Sequence, residues 1–113
     1  PRPVFWVHHA PPRGTSTSWN GSRDHGDRTL NRWIETYQPA AVLSGHVHNA
    51  PYYPDGSWID HIGDTIILNA GRQIGEKPAT IEIELDSGRL VWCGMEGCEE
   101  RLVEEVSPAP DPS

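Results

Sequence analysis

The pattern that most constrains the fold is an amphipathic segment between two short apolar runs. Residues 4–7 and 41–44 have the length and composition of β-strands. Between them, one apolar stripe recurs at helical spacing and is formed by Leu30, Trp33, Ile34 and Tyr37. Asp27 is a candidate N-cap for this helix, and Pro39 ends it near Tyr37. The sequence therefore predicts a βαβ unit whose two strands are parallel, with Trp33 in the core.

The chain changes character after residue 45, where short apolar segments alternate with turn residues. We expect strands over 57–61, 65–69, 80–85 and 90–93, with a hairpin turn at 86–88. Residues 4–7 form a continuous apolar run, which is typical of a strand buried on both faces. We predict a short helix over 99–106 and a disordered tail over 107–113. The expected fold class is α/β (α+β-like), with one βαβ unit followed by short, mostly antiparallel strands, and residues 1–106 form one lobe.

Charge and composition exclude several classes of protein. The net charge is −7, and a nucleic-acid module usually carries a basic surface, so we expect no nucleic-acid partner. Apolar runs are far shorter than the ~20 residues that a membrane helix needs. We therefore expect no membrane association and a cytoplasmic location. Cys93 and Cys98 could be bridged sterically, but in the absence of an export signal free thiols are the favoured prediction.

Histidines follow both strands of the βαβ unit. The first strand leads into His8-His9-Ala10-Pro11-Pro12, and the second leads into Gly45-His46-Val47-His48. Because parallel strands end at the same edge of a sheet, these imidazoles are expected to meet there. Gly45 leaves room for the backbone to bend close to a ligand. Neutral imidazoles at one edge favour a transition metal such as Zn, Mn or Fe.

These residues resemble the C-terminal half of a calcineurin-like metallophosphoesterase. The resemblance rests on three motifs in order, His-x-Pro-Pro at 9–12, Gly-His-x-His at 45–48 and Asn-x-Gly at 69–71. It implies an αββα sandwich fold. It also implies an enzyme that hydrolyses phosphoester bonds with two divalent or transition metal ions (Mn, Fe or Zn). By this resemblance His9 and His46 bind one ion and His48 belongs to the other. The metal ions would then attract an anionic substrate, so the negative net charge of the protein does not exclude one.

The other motifs of that family do not occur in this chain. They would have to come from an N-terminal half of the same domain, so we expect the parent protein to be the enzyme and the isolated chain to be inactive. No catalytic residue is assigned with certainty in this half. His8, Trp19 and Asn69 are candidates to support the metal ligands or to contact substrate. His25 and His61 are expected to face solvent, and His9 is preferred to His8 as the ligand because of its spacing from Pro11 and Pro12.

Two other interpretations of the sequence remain open. The chain could be a non-catalytic β-rich module with a single structural metal or none. It could also be a catalytically dead remnant that serves protein association. Half of a two-lobed fold leaves sheet edges unpaired, so the isolated chain is expected to dimerise or swap strands.

Overall fold

The computed structural model of the chain describes residues 3–106. The strands are β1 (Phe5–Val7), β2 (Ala41–Ser44), β3 (Ile59–Ile62), β4 (Thr65–Asn69), β5 (Thr80–Glu84), β6 (Arg89–Gly94) and β7 (Gly97–Leu102). The helices are α1 (Arg28–Tyr37) and α2 (Val103–Val106), and short 3-10 turns cover Ser16–Ser18 and Ala50–Tyr52. The tail predicted over 107–113 lies outside the described residues.

The first sheet contains the predicted βαβ unit. Its strand order is β1-β2-β4-β3, in which β1, β2 and β4 are parallel and β3 runs antiparallel to β4. The helix α1 connects β1 to β2, as expected. The edge at which β1, β2 and β4 end (the carboxyl edge) therefore receives the residues that follow three neighbouring strands.

Alternating side chains of the first sheet pack against two different layers. Val42 and Ile67 form one apolar cluster with Leu30 and Ile34 of α1. On the other face, a second cluster joins the first sheet to the antiparallel sheet β5-β6-β7, and it contains Ala41, Trp58, Ile59, Ile66, Leu68 and Leu90. The chain is thus a mixed α/β domain with a helix, a four-stranded sheet and a three-stranded sheet in successive layers.

The helix begins and ends where its capping residues predict. The Asp27 carboxylate accepts hydrogen bonds from the backbone of Thr29 at 2.8 Å and of Leu30 at 3.4 Å. The apolar stripe is narrower than predicted, because Leu30 and Ile34 are buried while Trp33 and Tyr37 are 47% and 70% exposed. The placement of Trp33 in the core was wrong, since the sheet beneath α1 covers only the side of the helix that carries Leu30 and Ile34.

The strand β1 is not buried on both faces, which corrects the prediction for residues 4–7. Val7 is 85% exposed, and Phe5 is exposed as well. Of the three residues of β1, only Trp6 packs against the cluster beneath α1. The three-stranded sheet covers β2, β3 and β4 and does not reach β1, which within the described residues pairs with β2 alone. A continuous apolar run therefore lies at an open edge of this sheet.

The helix predicted over residues 99–106 is replaced in its first half by a strand of a hairpin. Residues 99–102 belong to β7 and only Val103–Val106 are helical. Cys93 and Cys98 stand opposite each other in β6 and β7 and form a disulfide, so the prediction of free thiols was wrong. Pairing with β6 in this hairpin overrides the local helical preference of the glutamates. The cytoplasmic location stays a prediction.

The described helices are short. The longest is α1, with 10 residues, and no helix among residues 3–106 has the length and apolar character to cross a membrane.

Candidate functional site

His9 and His46 meet at the carboxyl edge of the first sheet. The parallel pairing of β1 and β2 continues past both strands, because His8 N–H donates to the Leu43 carbonyl at 2.9 Å and Gly45 N–H donates to the His9 carbonyl at 3.0 Å. This ladder holds His9 beside the turn that carries His46. The centroids of the two imidazole rings are 4.6 Å apart, and both side chains are exposed.

The backbone at His46 has a conformation that is rare for a residue with a side chain. Its φ is +60°, and Val47 N–H donates to the Gly45 carbonyl at 2.6 Å across it, which closes a three-residue turn. Strain of this kind persists only where the surroundings enforce it, and it is concentrated at functional sites. A Cβ on Gly45 would meet no atom within 4 Å, so the space beside this turn is open.

The spacing of the two rings suits shared coordination of one ion. With metal–nitrogen bonds of about 2.0–2.1 Å, two imidazoles on one tetrahedral ion have ring centroids roughly 5 Å apart. The observed separation of 4.6 Å is close to this value. Among residues 3–106, however, no three histidine, cysteine or acidic side chains lie close enough together to hold a metal. His48 therefore does not complete a three-ligand set with this pair.

His48 lies on the same segment as His46, on the other side of Val47. Val47 is buried, whereas His46 and His48 are exposed. The residues that follow β4 hold this segment in place, because Arg72 N–H donates a hydrogen bond to the His48 carbonyl at 2.9 Å. His46 and His48 both line a hollow of about 270 Å³ (the histidine hollow), whose walls are Asn20, His25, His46, Val47, His48 and Asn49.

At the carboxyl edge, the side chain of His8 is held against the start of α1. Its Nε2 donates to Asp27 Oδ2 at 3.0 Å, and its ring meets Trp33 edge-on with centroids 6.2 Å apart. The hydrogen bond from His8 holds the pKa of Asp27 below its ordinary value. The position next to the candidate ligand His9 is thereby joined to the N-cap residue of α1. The choice of His9 over His8 as a metal ligand stays a prediction.

Asn69, at the end of β4, binds backbone on three sides. It is fully buried, and its Nδ2 donates to the carbonyls of Thr17 at 3.0 Å and Val47 at 2.9 Å. Its Oδ1 accepts from Gly71 N–H at 2.9 Å. Asn69 thus ties the turn at Val47 to the loop at Thr17. Its role in supporting the metal ligands or contacting substrate stays a prediction.

The long loop over residues 8–26 is ordered by hydrogen bonds at both ends. Asp27 N–H donates to the Pro11 carbonyl at 2.8 Å, which closes the loop at its base. The Asp24 carboxylate accepts from Gly14 N–H at 2.7 Å and from Gly26 N–H at 2.8 Å. Burial raises the pKa of Asp24, but these backbone hydrogen bonds, a hydrogen bond with Ser18 and the charge of Arg13 together lower it by more, so its pKa lies below the ordinary value.

The tip of this loop is a small hairpin that carries His25 into the wall of the histidine hollow. Half-buried Trp19 pairs with Asp24 in an antiparallel bridge, and His25 N–H donates to the Ser18 carbonyl at 2.9 Å. His25 is exposed, as expected, yet it faces the same hollow as His46 and His48. The sequence signal that points to it is the length of the loop, because long ordered loops tend to be functional. His61 is exposed and bonds the Gly63 carbonyl through Nδ1.

No protein-family model matches the sequence, and comparisons with curated proteins and with solved structures return no significant match.

Proposed function

We propose that this chain is the C-terminal lobe of a metal-dependent phosphoesterase related to the calcineurin-like metallophosphoesterases. The observation that carries the proposal is the approach of His9 and His46 to 4.6 Å between ring centroids at the ends of two parallel strands. Their motifs, His-x-Pro-Pro and Gly-His-x-His, resemble those of that family. A divalent ion held there would supply Lewis-acid stabilisation of a phosphoryl group.

The chain's own residues would hold and orient that ion. His9 and His46 would donate one ring nitrogen each, and the backbone ladder at Gly45 fixes the distance between the two side chains. His48, two residues after His46, would belong to the neighbouring ion of a two-metal centre. The remaining ligands and the second αβ layer would come from the N-terminal half of the same domain. In this proposal the fold completes an αββα sandwich, and its substrate is a phosphoester.

The open edge of β1 supports the presence of a complementary half. Phe5 and Val7 present apolar side chains beside backbone groups that, in residues 3–106, pair on one side only. An exposed apolar edge strand readily pairs with another strand. We therefore propose that the partner half extends the first sheet beyond β1.

Metal titration of the isolated chain tests the ligand assignment. Mn²⁺ and Zn²⁺ are titrated separately by calorimetry into the unsubstituted chain and into H9A and H46A, with H61A as the matched control. We expect H9A and H46A each to weaken binding by at least about tenfold, in line with the loss of one of few protein ligands. Binding that is unchanged in H9A and H46A, or weakened equally in H61A, would overturn the assignment.

A second measurement separates the enzyme from a structural metal module. In the parent protein that the proposal implies, H46A should abolish the metal-dependent hydrolysis of a p-nitrophenyl phosphoester while the circular dichroism spectrum stays unchanged. If chelation instead unfolds the protein, the metal is structural and the alternative of a β-rich module with one structural ion is correct.

A further inference from the structure

The wall of the histidine hollow is rich in nitrogen donors that can bind an anion. Its six wall residues include three histidines and two asparagines and no acidic side chain, in a protein of net charge −7. No set of three potential ligands is close enough to share one ion among residues 3–106. Imidazole and amide N–H groups spread around a hollow can instead donate to several oxygens of one anion.

The orientation of the Asn20 amide fixes the role of His25 in this wall. Asn20 Oδ1 accepts from Ser22 N–H at 2.9 Å, Ser22 Oγ–H at 3.1 Å and Arg23 N–H at 2.8 Å. With three donors at Oδ1, the opposite end of the amide must be the NH₂ group, and it lies 2.7 Å from His25 Nε2. Because an NH₂ group donates, His25 Nε2 accepts.

This hydrogen bond selects one tautomer of the His25 ring. A neutral imidazole carries its proton on one nitrogen, so accepting at Nε2 leaves the proton on Nδ1. His25 is therefore an N–H donor at the wall of the hollow, whereas Nε2 is used to hold the ring. The hairpin beneath it is fixed by the Trp19–Asp24 bridge and by the bond from His25 N–H to the Ser18 carbonyl.

We propose that the histidine hollow is a subsite for the phosphoryl group of the substrate and that His25 contacts that group by donating from Nδ1. The hollow shares His46 with the candidate metal pair, so an anion within it would lie next to the ion that His9 and His46 would hold. The assignment of the anion as substrate rests on the proposed phosphoesterase function. The anion-binding property itself does not depend on a metal.

Inorganic phosphate is the probe for this subsite. It is titrated into the chain in the presence of EDTA, and the imidazole nitrogen resonances are followed by NMR, with acetate at equal ionic strength as the control anion. We expect phosphate to shift the resonances of His25, His46 and His48 and to leave those of His61 in place. H25A should weaken phosphate binding about fivefold, the effect of one hydrogen bond. Equal shifts at His61, or equal binding of acetate, would overturn the proposal.

Two further variants test the tautomer. H25N places an amide N–H near the position of Nδ1 and should retain phosphate binding within about twofold. H25Q keeps a group near Nε2 but lacks the donor at Nδ1, so it should bind as weakly as H25A. Equal binding by H25N and H25Q would contradict donation from Nδ1. If Mn²⁺ binding survives in H9A while phosphate binding is lost in H25Q, the metal assignment fails and the anion subsite stands.

Discussion

His8 Nε2 lies 3.0 Å from Asp27 Oδ2, while Oδ1 of the same carboxylate caps α1. One side chain thus joins the end of β1 to the start of the helix that follows the long loop. The residue beside the candidate ligand His9 is therefore positioned by the helix cap. Loss of that cap should affect both the ring of His8 and the start of α1.

Replacement of Asp27 by alanine should destabilise the protein through the helix terminus. D27A removes the acceptor for the backbone N–H groups of Thr29 and Leu30, and we expect a loss of about 1 kcal/mol in the free energy of unfolding. Urea denaturation at pH 7 measures it. E35A, on the exposed side of α1, is the control and should lie within about 0.5 kcal/mol of the unsubstituted chain. Equal stability of D27A and E35A would contradict the capping role.

The lowered pKa of Asp24 predicts an acid-dependent loss of stability. A carboxylate whose pKa is lower in the folded than in the unfolded state stabilises the protein above the unfolded value, and that contribution is lost as the pH falls through the folded value. Stability should therefore fall below about pH 5. The difference between the unsubstituted chain and D24N should be largest near pH 6 and shrink towards about pH 3. Parallel curves of unfolding free energy against pH would contradict this.

Removal of the Asn69 amide should cost more stability than any exposed substitution at the carboxyl edge. N69A leaves two carbonyls and one N–H without their partner in a buried position, and we expect a loss of about 3 kcal/mol. N49A is the matched control, since Asn49 is only half-buried, and it should cost less than about 1 kcal/mol. Chemical denaturation of both variants measures this. A loss of unfolding free energy in N69A that is no larger than in N49A would show that the hydrogen bonds of Asn69 do not stabilise the fold.

Reduction of the Cys93–Cys98 disulfide should lower stability by a modest amount. The bond closes a short loop, with a sequence separation of 5, and the chain-entropy argument gives about 2 kcal/mol for a loop of this length. Urea denaturation with and without a reductant measures the effect. The C93S/C98S variant should be insensitive to the reductant and as stable as the reduced chain. A reduced chain as stable as the oxidised one would contradict the prediction.

The open edge of β1 should make the isolated chain self-associate. Val7 is 85% exposed, and a lysine at this position would place a charge on the strand that pairing must bury. V7K should therefore remain monomeric at concentrations where the unsubstituted chain forms larger species by light scattering. L85K is the control, because Leu85 is 65% exposed but lies after β5. Association abolished equally by L85K would place the contact elsewhere.

Local signals in the sequence were sufficient for the βαβ unit. Residues 41–44 and 65–69 are strands to the residue, since an apolar run followed by a break defines each one. Asp27 caps the start of α1 and Pro39 disfavours helical backbone after its end, and both effects act within one helical turn. The motif histidines could be placed at one edge because parallel strands have only one carboxyl edge. The approach of His9 to His46 follows from that topology.

The remaining features depend on pairing and packing that the apolar pattern of the sequence does not specify. The exposure of Val7 is decided by the reach of the three-stranded sheet, which no local pattern reveals. The strand at 99–102 is decided by its pairing with β6. The role of His25 depends on a hairpin inside a loop without regular periodicity, and on an amide orientation that only the neighbours of Asn20 determine.

The two bonds from Asn69 Nδ2 have a consequence for how a ligand would arrive. They tie the loop at Thr17, which continues to His25, and the turn at Val47 to the same side chain, so both segments that carry the site are anchored to the sheet. The entropy of ordering these segments is lost during folding and not on association. An ion or anion would thus meet a preorganised surface, and its affinity should depend mainly on desolvation and charge.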